Sequence, residues 1–445
     1  MNTVAVNAAP RMGIGYEVDM RWAWIAFLLL FAIFFLGEGY DLFYSSGKGR
    51  DLAAGAARMG SSDIGSARRA VAFSLLAGLG VLFWFYRPGR NRFHVEGWLP
   101  FLILGFLSLA ALSATWALEQ NIVVKRVALL AFICVGAIGV ASRFSNRDIV
   151  RFAFAMGFLV AALGLVMEVA LGSFQPWLST YRFSGIMHPN SIGGVLGIFV
   201  LASLALARMT SSRRRRFIGM ALFGFVLLVL TKSRTSLAAA VAALWVWWFL
   251  GSQHRIRFVA LSVLAAALIG PVVIAVLEER IVDAVREAVL LGRTSGSAET
   301  FTGRIPLWHM LISWYVEERP FFGYGFSGFW TPRHIIEITA EQNWTYINHS
   351  HSGYMDTVLE LGLVGLTLLV LLLVAGIGRA YRYYKESLDP AWLFMMAVLV
   401  WAAVGSIAEP FLQESTIRGF ICFVILAKLA FVPPPWLRQL RPAFA

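Results

Sequence analysis

The residues best suited to chemistry are arginines and histidines set in Gly- and Ser-rich turns between long apolar runs. Arg182 stands in Tyr181-Arg-Phe-Ser-Gly-Ile-Met-His-Pro-Asn190, Arg234 in Thr231-Lys-Ser-Arg-Thr-Ser236, and Arg304 follows Thr302-Gly303. A guanidinium is always charged and pairs two oxygens of one anion in parallel, so arginines beside Gly-rich turns at a membrane face suit a diphosphate. The roughly two negative charges of a diphosphate are costly near lipid without such partners. A lone arginine at a membrane face is more often a snorkelling anchor; convergence of several stretches on one face argues for the set. His351, in Asn348-His-Ser-His-Ser-Gly-Tyr354, is the candidate base. Neutral imidazole accepts a proton near pH 7, as an acceptor hydroxyl requires when it attacks a sugar carbon.

Secondary candidates are His349, Tyr354 and Glu360. Glu360 opens an apolar run and Glu168 lies within one, which makes both acids functional suspects whose partners the sequence does not name. His188-Pro189-Asn190 reads as turn chemistry opening a helix. His349, His351 and Asp356 are metal-ligand types, but no HExxH, CxxC or DxD spacing accompanies them, so neither a metal nor a cofactor is assigned. Gly323-Tyr-Gly-Phe-Ser-Gly328 follows no strand and is not read as a nucleotide fingerprint. Trp308, Trp314, Phe329, Trp330 and Trp344 could stack on sugar rings or prenyl chains, although an interfacial aromatic belt explains them as well.

The elements that must position these residues are apolar. The chain has 445 residues, of which 59% are hydrophobic and 14% charged, against about 25% charged in soluble domains. That composition describes an all-α integral membrane protein. Apolar runs near 22–37, 69–86, 98–116, 127–142, 148–171, 191–207, 217–231, 237–250, 258–277, 357–378, 391–408 and 419–432 give about twelve transmembrane helices. The run at 237–250 is short, and 217–250 could form one broken hairpin. Cys134 and Cys422 both lie in apolar runs, which argues against a disulfide scaffold. The net charge of +13 points first to cytoplasmic loops and anionic lipid, then to an anionic substrate; no nucleic-acid module is present. Some twenty mostly polar residues precede Trp22 and no small-residue cleavage site follows the first run, so that run is expected to remain as an anchor.

With the N-terminus inside, the expected inner loops carry roughly twice the Lys and Arg of the short outer loops. Both termini are therefore expected in the cytoplasm. The expected division is 1–21 cytoplasmic, 22–277 spans one to nine, 278–354 a long outer loop, 355–432 spans ten to twelve, and 433–445 a cytoplasmic tail. Within the long loop, Glu278–Leu291 has the spacing of an interfacial amphipathic helix. Gly292–Thr302 has a loop composition, and a helix is expected from Arg304 to about Glu318, ended by Pro320.

At these residues the chain resembles the O-antigen ligase and polymerase superfamily over roughly Ser113 to Leu366. The resemblance rests on Arg182-Phe-Ser-Gly-Ile-Met-His-Pro-Asn190, Ser233-Arg-Thr-Ser236, Thr302-Gly-Arg304 with Trp308, Arg319-Pro-Phe-Phe-Gly-Tyr-Gly325, His351-Ser-Gly-Tyr354 and Leu359-Glu-Leu-Gly-Leu-Val-Gly365. It implies a GT-C-like, metal-independent, inverting glycosyltransferase of the bacterial inner membrane with a periplasmic active site. Arg182, Arg234 and Arg304 would hold the pyrophosphate of an undecaprenyl-pyrophosphate-linked glycan, and His351 would deprotonate or orient the acceptor hydroxyl. The implied partners are that donor, a glycan or lipid A-core acceptor, membrane lipid and, as a further candidate, a chain-length regulator protein. Ser352 departs from the asparagine common at that position in the family. The phrases Leu230–Leu237 and Gly323–Trp330 resemble those of exopolysaccharide polymerases somewhat more closely, which leans the reading toward a polymerase over a ligase. A transporter or flippase would call for repeat symmetry and broken helices at mid-membrane; a non-catalytic scaffold would call for a large soluble or coiled-coil part. Neither is legible in the sequence.

Overall fold

The computed structural model describes residues 20–46, 63–85, 95–251, 259, 304–341, 347–412, 415–432 and 434. Among them all regular structure is helical. The chain runs through α1 (Met20–Phe34), α2 (Asp63–Phe85), α3 (Trp98–Leu112), α4 (Gln120–Arg143), α5 (Asn146–Ala170), α6 (Pro189–Met209), α7 (Arg214–Leu230) and α8 (Arg234–Gly251). It continues through α9 (Arg304–Leu311), α10 (Pro332–Glu341), α11 (Gly353–Ser387), α12 (Pro390–Gly405) and α13 (Ile417–Phe431). Every expected apolar run apart from 258–277 coincides with one of these helices. Among the described residues, seven helices are long and apolar enough to cross a membrane by length and composition, while α12 and α1 with its continuation to Glu38 are apolar but shorter. The protein is a multi-pass membrane protein. The run at 258–277 apart from Val259, the amphipathic segment Glu278–Leu291, the stretch Gly292–Thr302, Gly303, Trp344, residues 1–19 and nearly all of the tail lie outside the described residues.

The centre of the bundle is α6 with α12 and α13. In α6, 83% of the apolar window is buried inside the protein, whereas the figure for α2 and for α3 is 22%. The outer helices therefore turn large side chains such as Leu75 and Phe101 outward, which is the pattern expected of lipid-facing helices. α7 packs on α6 while α8 packs on α12 and α6, so the 217–250 stretch is two diverging helices rather than one tight hairpin. Close approach comes from small residues, as it does generally in membranes. A Cβ on Gly139 of α4 would lie 2.3 Å from the carbonyl oxygen of Gly80 on α2. At the far end of α4, the Lys428 ammonium donates to the carbonyls of Ala141 and Phe144 at 2.9 and 2.8 Å, satisfying a helix C-terminus that would otherwise be orphaned.

Two of the sequence motifs meet in a single backbone joint. α11 is broken at Gly362, whose φ of 64° and ψ of −166° are non-helical. The turn Pro320–Gly325 fills the break. Tyr324 N donates to Leu359 O at 2.9 Å, Gly325 N to Glu360 O at 2.8 Å, and Leu363 N to Pro320 O at 2.8 Å. A Cβ at Gly362 would sit 2.1 Å from the carbonyl carbon of Phe321. The joint and the cluster above it (Leu307, Leu311, Tyr315, Tyr324, Phe329 and Leu359) anchor α9 and α10 on the first turns of α11. α9 passes into a wider turn at Ile312–Val316 before reaching Pro320.

Candidate functional site

The site is assembled at the end of the bundle where α6, α8, α9, α11 and α13 begin and α12 ends. Arg182 is placed by the preceding helix. Glu168, 1% exposed near the end of α5, accepts from Ser184 N and Gly185 N at 2.8 Å each and from Ser184 Oγ at 3.3 Å. Its other oxygen accepts from Tyr181 Oη at 2.5 Å. Burial, followed by that bond, holds the Tyr181 phenol well above its ordinary range, so it remains a donor. Gly185 has a φ of 56° and lies against Gly164, where a Cβ would come within 2.7 Å of Gly164 Cα. With Phe183 fully buried, the turn is fixed on both sides of Arg182. The guanidinium donates from Nε to Thr231 O at 2.9 Å and from Nη2 to Asn190 Oδ1 at 3.0 Å.

The Thr231–Ser236 turn is held by its own hydroxyls. Ser233 N donates to Thr231 Oγ1 at 3.1 Å, Ser233 Oγ to Ser236 Oγ at 2.9 Å, and Ser236 Oγ to Asn190 O at 3.2 Å. Ser233 Oγ also accepts from Ser236 N at 3.4 Å, an N-cap arrangement. Arg234 is the half-buried first residue of α8, in the same turn that meets Arg182 and Asn190. Lys232, with φ 51°, reaches Ser179 O.

The histidines sit on a bracketed loop. Trp308 Nε1 donates to Ser350 O at 2.8 Å, while Ser350 N and Trp330 Nε1 donate to Asp356 Oδ1 at 2.9 and 3.0 Å. Two of the tryptophans thus hold the loop through their indole N–H groups. Ser352 caps α11, its Oγ accepting from Met355 N at 3.3 Å. Serine and asparagine are both strong N-caps, so the departure from asparagine keeps that function. Gly353 N donates to Ser406 O at 2.9 Å, tying the loop to the end of α12. Between these fixed points His351 takes φ 58°, a left-handed conformation rare for a non-glycine residue and found where surroundings over-determine it.

The His349 and His351 rings lie 4.1 Å apart between centroids. Beside them, Glu409 Oε1 accepts from Arg304 Nη2 and from Asn190 Nδ2 at 2.7 Å each. A continuous chain of bonds therefore runs Arg304–Glu409–Asn190–Arg182. Burial pushes the His351 imidazole down to about 2, assisted by His349, Arg304 and His188. In this arrangement it is neutral, able to accept a hydrogen bond yet weakly basic. One potential ligand atom each from His349, His351 and Glu409 lie within 4.8 Å of one another. That set differs from the one the sequence suggests, because Asp356 is turned to Ser350 and Trp330. A cation there would compete with Arg304 for the same carboxylate.

The structure thus brings Arg182, Arg304, His349 and His351 to one cluster, with Arg234 in the adjoining turn. Tyr354 turns away, its hydroxyl donating to Ala403 O at 2.8 Å across α11 and α12. The Glu360 backbone belongs to the joint at Gly362. The residue missed by sequence reasoning is Glu409, in the segment between α12 and α13. Its signal was available, an acid next to Pro410 ending an apolar run, of the same kind as Glu168 and Glu360.

Residues 219–370 match the Wzy_C family model, described as O-antigen ligase. The chain is also 26% identical over 287 residues to the "Exopolysaccharide production protein ExoQ" of Rhizobium meliloti (strain 1021), an alignment that covers 60% of this chain and 64% of that protein. The family segment includes Arg234, Arg304, His349 and His351; Arg182 and Glu409 lie on either side of it.

Proposed function

We propose that this chain belongs to the O-antigen ligase and polymerase superfamily, being similar to the O-antigen ligase family over residues 219–370, and that it transfers a glycan from a polyprenyl diphosphate to an acceptor hydroxyl. In this reading Arg304, Arg182 and Arg234 hold the diphosphate of an undecaprenyl-linked donor, and the cluster faces the periplasm. The acceptor oxygen attacks the anomeric carbon from the side opposite the diphosphate, and the new C–O bond inverts that centre. The bond from carbon to the diphosphate oxygen breaks, its electron pair leaves with the polyprenyl diphosphate, and the acceptor proton passes to His351. The donor's negative charge beside His351 offsets the Arg304 charge that disfavours the imidazolium, so the base gains strength when the donor is bound. The three arginines meet the leaving group's charge, which assigns no step to a metal.

The observation that carries this reading is the contiguity of Arg304 and Arg182, through Glu409 and Asn190, beside the His349–His351 pair. Within the superfamily, polymerisation of an exopolysaccharide or O-antigen repeat is favoured by the likeness to an exopolysaccharide production protein; the alternative is ligation to lipid A-core. A deletion strain complemented with wild type, Arg304→Ala or His351→Ala, read on glycan gels, tests the assignment. Both variants are expected to lose polymer at normal protein level. Loss of secreted polysaccharide alone marks a polymerase of that polymer, single-repeat lipopolysaccharide an O-antigen polymerase, and naked core with accumulated carrier-linked chains a ligase. Wild-type gels from both variants would overturn the proposal.

A further inference from the structure

A carboxylate stands in the middle of the cluster proposed to receive an anion. Glu409 is 7% exposed and the Arg304 side chain 11%, so neither charge is satisfied by bulk water. A buried guanidinium deprived of its counter-ion is strongly disfavoured, so Arg304 needs a negative group beside it whenever no donor is bound. Glu409 provides it at 2.7 Å. Through Asn190, the same oxygen also fixes the partner of Arg182. Glu409 takes up Nη2 of Arg304, one of the fork of donors that a diphosphate held by Arg304 would use.

Resting on the transfer reading above, we infer that Glu409 is a resident stand-in for the donor's diphosphate. It holds Arg304 and, by way of Asn190, Arg182 in position before a donor binds. It yields Arg304 when a diphosphate arrives and reclaims it as the polyprenyl diphosphate departs. Glu409 is in this sense a positioning residue acting through Arg304. The arrangement sets the receptor in place before binding at the cost of competing with the ligand, and that competition favours release of a tightly bound anionic product.

The sign of one substitution separates this role from a structural one. Glu409→Gln keeps the shape and an acceptor oxygen for Arg304 and Asn190, but a neutral acceptor holds a guanidinium less firmly than a carboxylate does. Binding of inorganic pyrophosphate to the purified full-length protein in micelles, followed by calorimetry, is expected to tighten on the order of tenfold in Glu409→Gln. Arg304→Ala in the Glu409→Gln background should abolish the gain. Glu409→Asp, whose shorter side chain reaches Arg304 less closely, should show a smaller tightening and stands in if the Gln variant does not fold. Farnesyl diphosphate, run in parallel, should bind both proteins more tightly than pyrophosphate if the physiological anion is borne on a lipid; equal affinities would overturn that source. Wild type that binds pyrophosphate while Glu409→Gln or Glu409→Asp binds it equally or more weakly would overturn the stand-in role alone. Absence of diphosphate binding by every protein would overturn the role together with the transfer reading on which it rests.

Discussion

Removal of the Glu168 carboxylate should collapse the turn that carries Arg182, and the structure sets the size of the effect. In Glu168→Ala the buried N–H groups of Ser184 and Gly185 lose their acceptor, as does the Tyr181 hydroxyl. Each orphaned buried donor costs about 1–3 kcal/mol, so the loss of all three acceptor contacts should cost the variant about 3–9 kcal/mol of stability. Glu168→Gln leaves one oxygen for the two N–H groups and an amide that can donate to Tyr181 Oη. It loses the charge assistance on the backbone bonds and takes the acceptor from the Tyr181 O–H, about 2–5 kcal/mol in all. Because the turn also sets the reach of Arg182 to Thr231 and Asn190, glycan transfer should fall by about 100-fold in the Ala variant, on the scale of one lost charge-stabilising group, and only severalfold in the Gln variant. Denaturant titration in micelles, with tryptophan fluorescence as the signal, measures the first quantity, and a transfer assay measures the second. Equal stabilities for Ala, Gln and wild type within about 1 kcal/mol would refute the reasoning, since that is the scale of one ordinary hydrogen bond.

Further outcomes follow from other parts of the site. Gly362→Ala places a methyl 2.1 Å from the Phe321 carbonyl carbon at a residue of positive φ, and should cost about 3 kcal/mol or more; wild-type yield and denaturation midpoint would contradict the joint. The His351 imidazole is held at about 2 in the folded protein against an ordinary value of 6.5. Only the unfolded chain therefore takes up that proton between those values, and stability should be unaffected above pH 6.5 and fall below it, by up to about 1.4 kcal/mol per pH unit. His351→Asn should flatten that decline, and an unchanged slope between pH 7.5 and 5 would count against the burial of a neutral imidazole. Trp308→Phe removes the 2.8 Å bond to Ser350 O; it should cost about 1 kcal/mol and slow transfer severalfold by loosening the loop before His351, and an unimpaired rate would show that the bracket is dispensable.

The helices were legible in the sequence because a membrane span needs only a continuous apolar length, which Trp98–Leu112 or Pro189–Met209 displays without reference to the rest of the chain. His188-Pro189 was legible for the same reason, a local cap with its bond to Asn190 N two residues away. What the sequence left open was pairing across distance. Glu168 stood out as a buried acid, but its partners lie past the end of its own helix, in a turn with no periodic pattern. Arg304 and Glu409 are separated by 105 positions, and nothing local marks a carboxylate as the counter-ion of a particular guanidinium. The motifs at Arg319–Gly325 and Leu359–Gly365 read as two separate Gly-containing phrases. Their meaning is joint, because the glycine at 362 opens the helix that the turn at 320–325 then fills. Tyr354, a polar residue next to the candidate base, places its hydroxyl on a helix contact that no local pattern signals.

Transfer as proposed requires Arg304 and His351 to act together on a lipid-linked donor. The most direct measurement is transfer by the purified protein in proteoliposomes from a polyprenyl-diphosphate oligosaccharide, comparing wild type, Arg304→Ala, Arg304→Lys and His351→Ala. The account predicts that each Ala variant lowers kcat/KM by at least about 100-fold, and that lysine, a point charge without the planar fork, fails to restore the loss at Arg304. Folded Ala variants that transfer within severalfold of wild type would contradict it.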